Sequence, residues 1–216
     1  MSFPEDNLSS KKSKLLYIIR HGETDLNKKG IVQGRGINSD LNETGIAQGN
    51  AFYEYYKYRN FDKIYTSTLK RTHQTVAKFI EAGLPWEQLE GLDELAWGEY
   101  EGLATTPKLR SGFKKLIEGW NAGHFDIRLN GGESPMDVFQ RQELAMQKIL
   151  SEQEEKTILI CMHGRALRIL LCQLLRKSLQ QMDEFPHQNT SLYVLAYDGS
   201  DFSVQVFNSL DHLKNI

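Results

Sequence analysis

The chain has 216 residues, 40% of them hydrophobic and 25% charged, which suits one α/β domain with an insertion and supplies a substantial core. Its formal net charge of −2 excludes the global basic field that gathers nucleic acid or an anionic membrane. Any recognition of anions must therefore be local. Two cysteines in apolar runs, Cys161 and Cys172, read as reduced core thiols, and six scattered histidines without CxxC or HExxH spacing leave no metal centre to expect.

In chain order, the polar opening "MSFPEDNLSSKKSK" has no apolar h-region and reads as a disordered tail over residues 1–13. The cytoplasm is the expected compartment, since no apolar run approaches the ~18 residues of a membrane span. Residues 14–216 are expected to form one domain. "KLLYII" (14–19) is a short apolar β-rich run that stops at Arg20-His21-Gly22. "LNETGIAQGNAFYEYYKY" follows as a helix with Asn42 as its N-cap. Its aromatic residues Phe52, Tyr53, Tyr55, Tyr56 and Tyr58 fit helical packing or an oligomer contact better than a base-stacking surface.

The same grammar then recurs. "FDKIYT" (61–66) is a strand followed by Ser67 and by "TLKRTHQTVAKFIEAG", a helical pattern ending on Gly83. "KTILICM" (156–162) is a strand followed by His163-Gly164 and the apolar helix "RALRILLCQLLRK". "TSLYVLAYDGSDFSVQVFNSL" alternates and turns at Asp198-Gly199, a terminal hairpin. Strand, sharp turn, helix is half of a βαβ unit, and strands buried on both faces imply a mostly parallel sheet. The expected fold is therefore α/β, a three-layer α/β/α sandwich.

Ligands of open α/β sheets bind outside the carboxyl ends of the strands. A single Arg-His pair there is an ordinary polar strand end. Arg20, His21, Arg71 and His163 stand at three equivalent places, beside helix N-termini that add N–H groups and a positive dipole end. That set describes a pocket for a phosphoryl group.

"RHGETDLN", "STLKRTHQT", "LDELAWGEYEG", "GGES" and "MHGRALR" resemble, in order and spacing, the histidine phosphatase superfamily and its phosphoglycerate-mutase-like branch. The resemblance covers residues 14 to 207. It implies that His21 is the nucleophile, that Arg20, Arg71 and His163 surround the phosphoryl oxygens, and that Glu94 is the proton donor. It makes Asn27, Gln33 and Gly164 further substrate contacts. The residues alone do not select Glu94 from Asp93, Glu99 and Glu101.

The loop "QGRGINSDLNETG" is a residue longer than usual, with Asn38 near where an Asp often stands. Arg165 follows Gly164 where the family has a small residue or Asn, and it is either a substrate contact or a helix-surface arginine. Residues 103–132 look like a helical lid insertion carrying Lys108, Arg110, Lys114, Lys115 and Arg128 against Glu118 and Asp126. This local excess of positive charge either attracts a multiply charged substrate or forms the wet face of the lid.

The resulting expectation is a cofactor-free phosphomonoesterase that acts on a phosphorylated small molecule through a phosphohistidine. Neither nucleic acid nor membrane is an expected partner, and a homodimer is left open. Two alternatives share these residues. One is a phosphoglycerate mutase, and the other is a phosphate-binding or interaction module without catalysis.

Overall fold

Strand β1 (Lys14–Arg20) is apolar on both faces because it lies inside the sheet. Leu16 and Ile18 point into one layer of core, while Leu15, Tyr17 and Ile19 point into the other. The computed structural model describes residues 13–214, so the tail expected over 1–13 lies outside the described residues save for Ser13, which is buried. After β1 come α1 (Asp25–Lys28), α2 (Glu43–Tyr56), β2 (Lys63–Thr66), α3 (Lys70–Thr75), α4 (Ala77–Glu81) and β3 (Trp86–Gln88). The remainder comprises α5 (Pro107–Asn121), α6 (Pro135–Ser151), β4 (Thr157–Met162), α7 (Gly164–Leu174), β5 (Leu192–Tyr197) and β6 (Phe202–Ser209).

The six strands are ordered β3-β2-β4-β1-β5-β6. The first four are parallel, and β5 and β6 add an antiparallel hairpin at one edge. Helices cover both faces. Helices α5, α6 and α7 pack on the layer containing Leu16 and Ile18, and α2 with α4 packs on the layer containing Tyr17 and Ile19. Phe52 and Tyr56 are in that second core, whereas Tyr58 is 82% exposed. The aromatic cluster is thus chiefly helix packing.

Register sets the position of the site. Arg20 pairs with Met162 across β1 and β4, and Thr66 pairs with Cys161 across β2 and β4. The residues that follow, His21, His163 and Ser67, therefore leave the sheet side by side. Asn42 caps α2 as its sequence suggests, its side chain accepting from the Gly45 N–H at 2.9 Å.

The helix expected up to Gly83 is interrupted at Val76, which has φ −107° and ψ 15°. The Thr75 hydroxyl bonds back to Arg71 O at 2.6 Å and accepts the Gly22 N–H at 2.9 Å. A hydroxyl bonded back along its own helix competes with the backbone ladder and bends it.

The insertion is a docked helix. Thr106 caps α5 and Pro107 opens it, while Leu109, Leu116 and Trp120 are buried and Phe113 packs edge-on against Trp97 and Tyr100. Lys108, Arg110, Lys114 and Lys115 are all exposed. Among the described residues no helix is long and apolar enough to cross a membrane.

Candidate active site

His21 is the first residue beyond β1 and is buried. Its Nδ1 lies 2.7 Å from Gly22 O, so the ring donates from Nδ1 and Nε2 carries the lone pair. Burial, followed by the charges of Arg71 and Arg20, holds its pKa well below 6.5. A buried neutral imidazole with one fixed nitrogen is poised as a nucleophile.

His163 is fully buried at the N-cap of α7, with its ring centroid 5.2 Å from that of His21. Its Nε2 is 2.7 Å from Ser67 Oγ, and its Nδ1 is buried without a hydrogen-bond partner. When Ser67 donates to Nε2, the ring proton stands on Nδ1 as a donor for an incoming oxygen. Ser67 is itself anchored, accepting the Leu69 N–H at 3.1 Å and lying 3.1 Å from Thr72 Oγ1.

Arg71 has no exposed surface. Two carbonyls aim it, with Nη1 donating to Ile37 O at 2.7 Å and Nη2 to Gly34 O at 3.4 Å. Its Nε has no partner, and burial pulls its pKa down to about 10. The carbonyls belong to a loop that Glu101 braces from beneath. Glu101 accepts the Trp97 N–H at 2.8 Å and lies so close to Gly34 and Gly36 that a Cβ at either position would collide with its carboxylate. Arg20 also has a buried, unpartnered Nε, and its Nη1 is 3.3 Å from His187 Nδ1. These three unpartnered donors or potential donors, on Arg20, Arg71 and His163, suit an oxyanion with several equatorial oxygens.

Glu94 is buried, and its carboxylate is set on backbone N–H groups. Oε1 accepts from Leu95 at 2.9 Å and Ala166 at 2.9 Å, and Oε2 accepts from Arg165 at 3.1 Å. The α7 N-terminus thus holds His163 and the Glu94 carboxylate together. Its neighbour Asp93 turns the other way, to Thr68 and to Arg35 Nε at 3.0 Å.

Asn27 Oδ1 receives the Thr24 N–H at 3.3 Å and Asn189 Nδ2 at 3.2 Å. Both ends of the Gln33 amide are engaged, with Nε2 on Thr24 Oγ1 at 2.6 Å and Oε1 receiving Ser39 Oγ at 2.7 Å, so Gln33 braces the turn around Thr24. Asn38 caps α3 by accepting the Lys70 N–H at 2.8 Å. Gly164 lies beneath the His187 ring, which a Cβ would meet at 2.6 Å.

The sequence reading did not find His187, Asn189, Thr190 or Ser67. The segment 187–191 closes on the His21 turn, with Asn189 Nδ2 donating to His21 O at 3.1 Å and the Thr190 N–H donating to Arg20 O at 3.1 Å. Thr190 takes φ +56° to do so, a strained conformation for a β-branched residue that its surroundings must enforce. Ser67 had a usable signal, since it leaves β2 where His21 and His163 leave their strands.

A family model described as the histidine phosphatase superfamily (branch 1) matches residues 16–210. This chain belongs to that superfamily. A candidate phosphoserine phosphatase of Hydrogenobacter thermophilus is 26% identical over 94% of this chain and 99% of its own length. The rat 6-phosphofructo-2-kinase/fructose-2,6-bisphosphatase 3 is 31% identical over 78% of this chain, which spans only 29% of that longer protein. The solved phosphoserine phosphatase of Entamoeba histolytica, in complex with 3-phosphoglyceric acid, superposes with a TM-score of 0.80 at 28% identity. That match covers 93% of this chain and 99% of the other. Together these relatives support a phosphatase with a three-layer α/β/α fold.

Proposed function

We propose that the chain is a metal-independent phosphomonoesterase that forms a phosphohistidine on His21. The observation that carries this reading is the neutral His21 ring, tied at Nδ1 to Gly22 O and flanked by Arg20, Arg71 and His163. His21 Nε2 attacks phosphorus in line with the ester oxygen, the P–O bond breaks, and the alcohol oxygen takes a proton from Glu94. Water then gives a proton back to Glu94 and attacks the phosphohistidine, releasing phosphate and restoring His21. The guanidinium groups of Arg20 and Arg71 and the His163 ring carry the equatorial charge in both steps. Asn27 and the Gly164 turn complete the rim of the site.

The test is phosphate release from p-nitrophenyl phosphate with EDTA present. Wild type should be active and His21→Ala should lose at least ~10³-fold, while an alkaline denaturing quench of wild type should trap a phosphoenzyme that is stable to base and lost in acid. Activity that EDTA abolishes, or that survives in His21→Ala, would overturn the mechanism. Burial and the neighbouring arginines keep His21 neutral below pH 6.5. With an alkyl phosphate as substrate, the acid limb of kcat/KM should therefore follow the second ionisation of the substrate phosphate near pH ~6. A mutase would instead return the phosphoryl group to a bound phosphoglycerate, which product analysis with that substrate detects.

A further inference from the structure

Arg165, the residue that departs from the resemblance, does not lie on the wet side of its helix. Its side chain is 16% exposed, lies with its guanidinium 5.6 Å from the Trp120 ring centre of α5, and reaches Asp183 Oδ1 at 3.2 Å. Arg168 shares that same Asp183 oxygen and gives its Nε to Phe185 O at 3.0 Å. Two guanidinium groups therefore divide one carboxylate. Among the described residues the Arg165 guanidinium makes no other hydrogen bond, so one of its five N–H donors is engaged.

The position of this residue in the site is as informative as its partners. Its backbone N–H holds Glu94 Oε2 at 3.1 Å, and Glu94 is the group that meets the leaving oxygen in the reading above. His163, two positions earlier, belongs to the phosphoryl end, and helix positions that close have Cα atoms only about 5.5 Å apart. Arg165 thus stands on the alcohol side of the scissile bond. The exposed cations of α5 cannot explain it, since they face water.

A purely structural role accounts for it poorly. Burying a guanidinium on a shared acid carries a desolvation penalty, and an aliphatic side chain would pack against Trp120 without that penalty. Helix α5 is also held independently, by Leu116 and Trp120 in the core and by Trp120 Nε1 donating to Ile127 O at 2.9 Å.

Resting on the phosphatase reading, we infer that Arg165, backed by Arg168, binds a second anionic group on the alcohol part of the substrate. The preferred substrates are phosphomonoesters of short alcohols that also carry a carboxylate or a second phosphate. The planar fork of arginine suits either group. Arg165 is then a specificity residue that contributes nothing to esters lacking that charge.

The experiment compares matched pairs on wild type, Arg165→Ala and Arg165→Lys. Phosphoglycolate against ethyl phosphate reports a carboxylate, and propane-1,3-diol bisphosphate against propyl phosphate reports a second phosphate. In wild type, kcat/KM should favour the doubly charged member of at least one pair by about 10- to 100-fold, the range of a charge-assisted hydrogen bond. Arg165→Ala should lose that preference through KM and leave the neutral esters within about threefold, and Arg165→Lys should retain part of it. The pair that shows the preference identifies which anion is bound.

Equal losses on charged and neutral esters would mean that Arg165 only secures the lid, and no preference in wild type would refute the inference outright. Calorimetric affinities of the same pairs on His21→Ala, with Arg165 intact or replaced, read the preference without turnover. A binding preference without hydrolysis would thus condemn the phosphatase reading and spare this one.

Discussion

At the scale of single residues, the carboxylate of Glu94 has two separable roles. In the proposed mechanism it meets the leaving oxygen, and in the fold it receives the N–H groups of Arg165 and Ala166 that open α7. Glu94→Gln keeps the shape but turns an amide donor toward one of those N–H groups, at a cost of about 1–2 kcal/mol in stability. Its effect on rate should depend on the leaving group. Ethyl phosphate needs a proton on its departing oxygen and should slow by about 10²- to 10⁴-fold. Nitrophenolate leaves without one, so kcat/KM for p-nitrophenyl phosphate, which covers only formation of the phosphohistidine, should fall by less than about 10-fold. Parallel losses of kcat/KM on both esters would reduce Glu94 to a helix anchor. At this scale the sequence was legible where chemistry coincided with strand ends. Arg20, His21, Arg71 and His163 all follow the strand–turn–helix rule, and the structure gathers them. His187 was hidden because its segment, 187–191, joins the site through tertiary closure, with no strand or helix beginning there to mark it. Glu94 needed the family pattern, because only the fold shows that it turns toward α7 while Asp93 turns toward Arg35.

At the scale of elements, the position of the His21 turn depends on how closely α2 approaches it. Gly45 lies against Glu23, and a Cβ there would collide with the Glu23 carbonyl. Gly22 faces Gly45 O, where its own Cβ would come to 2.6 Å, and a Cβ on Gly49 would come to 2.6 Å from Thr75 O. Glycines four apart thus let one helix face touch both the His21 turn and the helix carrying Arg71. Two effects compete in Gly45→Ala. Helix propensity favours alanine by up to about 1 kcal/mol, whereas overpacking of backbone on backbone costs about 1–3 kcal/mol. The contact is with a backbone oxygen that has no rotamer to yield, so the second should win. The expected outcome is a net loss of about 1–2 kcal/mol in urea unfolding together with at least a ~10-fold fall in kcat. A variant as stable and active as wild type would show that the turn has room to move. The helix boundaries at Asn42 and Gly83 were readable from capping and turn chemistry. The interruption at Val76 was not, because it follows from Thr75 serving Gly22 across the fold.

For the whole molecule, the buried histidines couple stability to pH. Burial holds His21 and His163 well below 6.5, aided by neighbouring arginines. His187 is brought to about 3 by burial and then by Arg20, Arg168 and Arg165. His212 is brought to about 4 by burial, with Asp211 opposing. Each group stays neutral in the folded chain and takes up a proton near pH ~6.5 when unfolded. Their contribution is therefore intact above pH 6.5 and declines as pH falls through the window between 6.5 and the folded values of about 4 and about 3. Each depressed histidine removes at most about 1.4 kcal/mol per pH unit inside that window. The four acting together should cost at least about 3 kcal/mol between pH 6.5 and 4.5, read as a falling urea midpoint at constant m. His212 allows a test outside the site. It packs edge-on against Phe52 with a ring-centre distance of 5.2 Å, and its Nε2 lies 3.0 Å from Thr190 Oγ1. His212→Gln keeps an amide donor there and removes one titrating group. It should lower stability at pH 7.5 yet flatten the acid slope by close to one proton per molecule unfolded. A slope unchanged by the substitution would show that His212 takes no part in the acid loss. A wild-type midpoint flat from pH 6.5 to 4.5 would show that the buried imidazoles accept protons without unfolding.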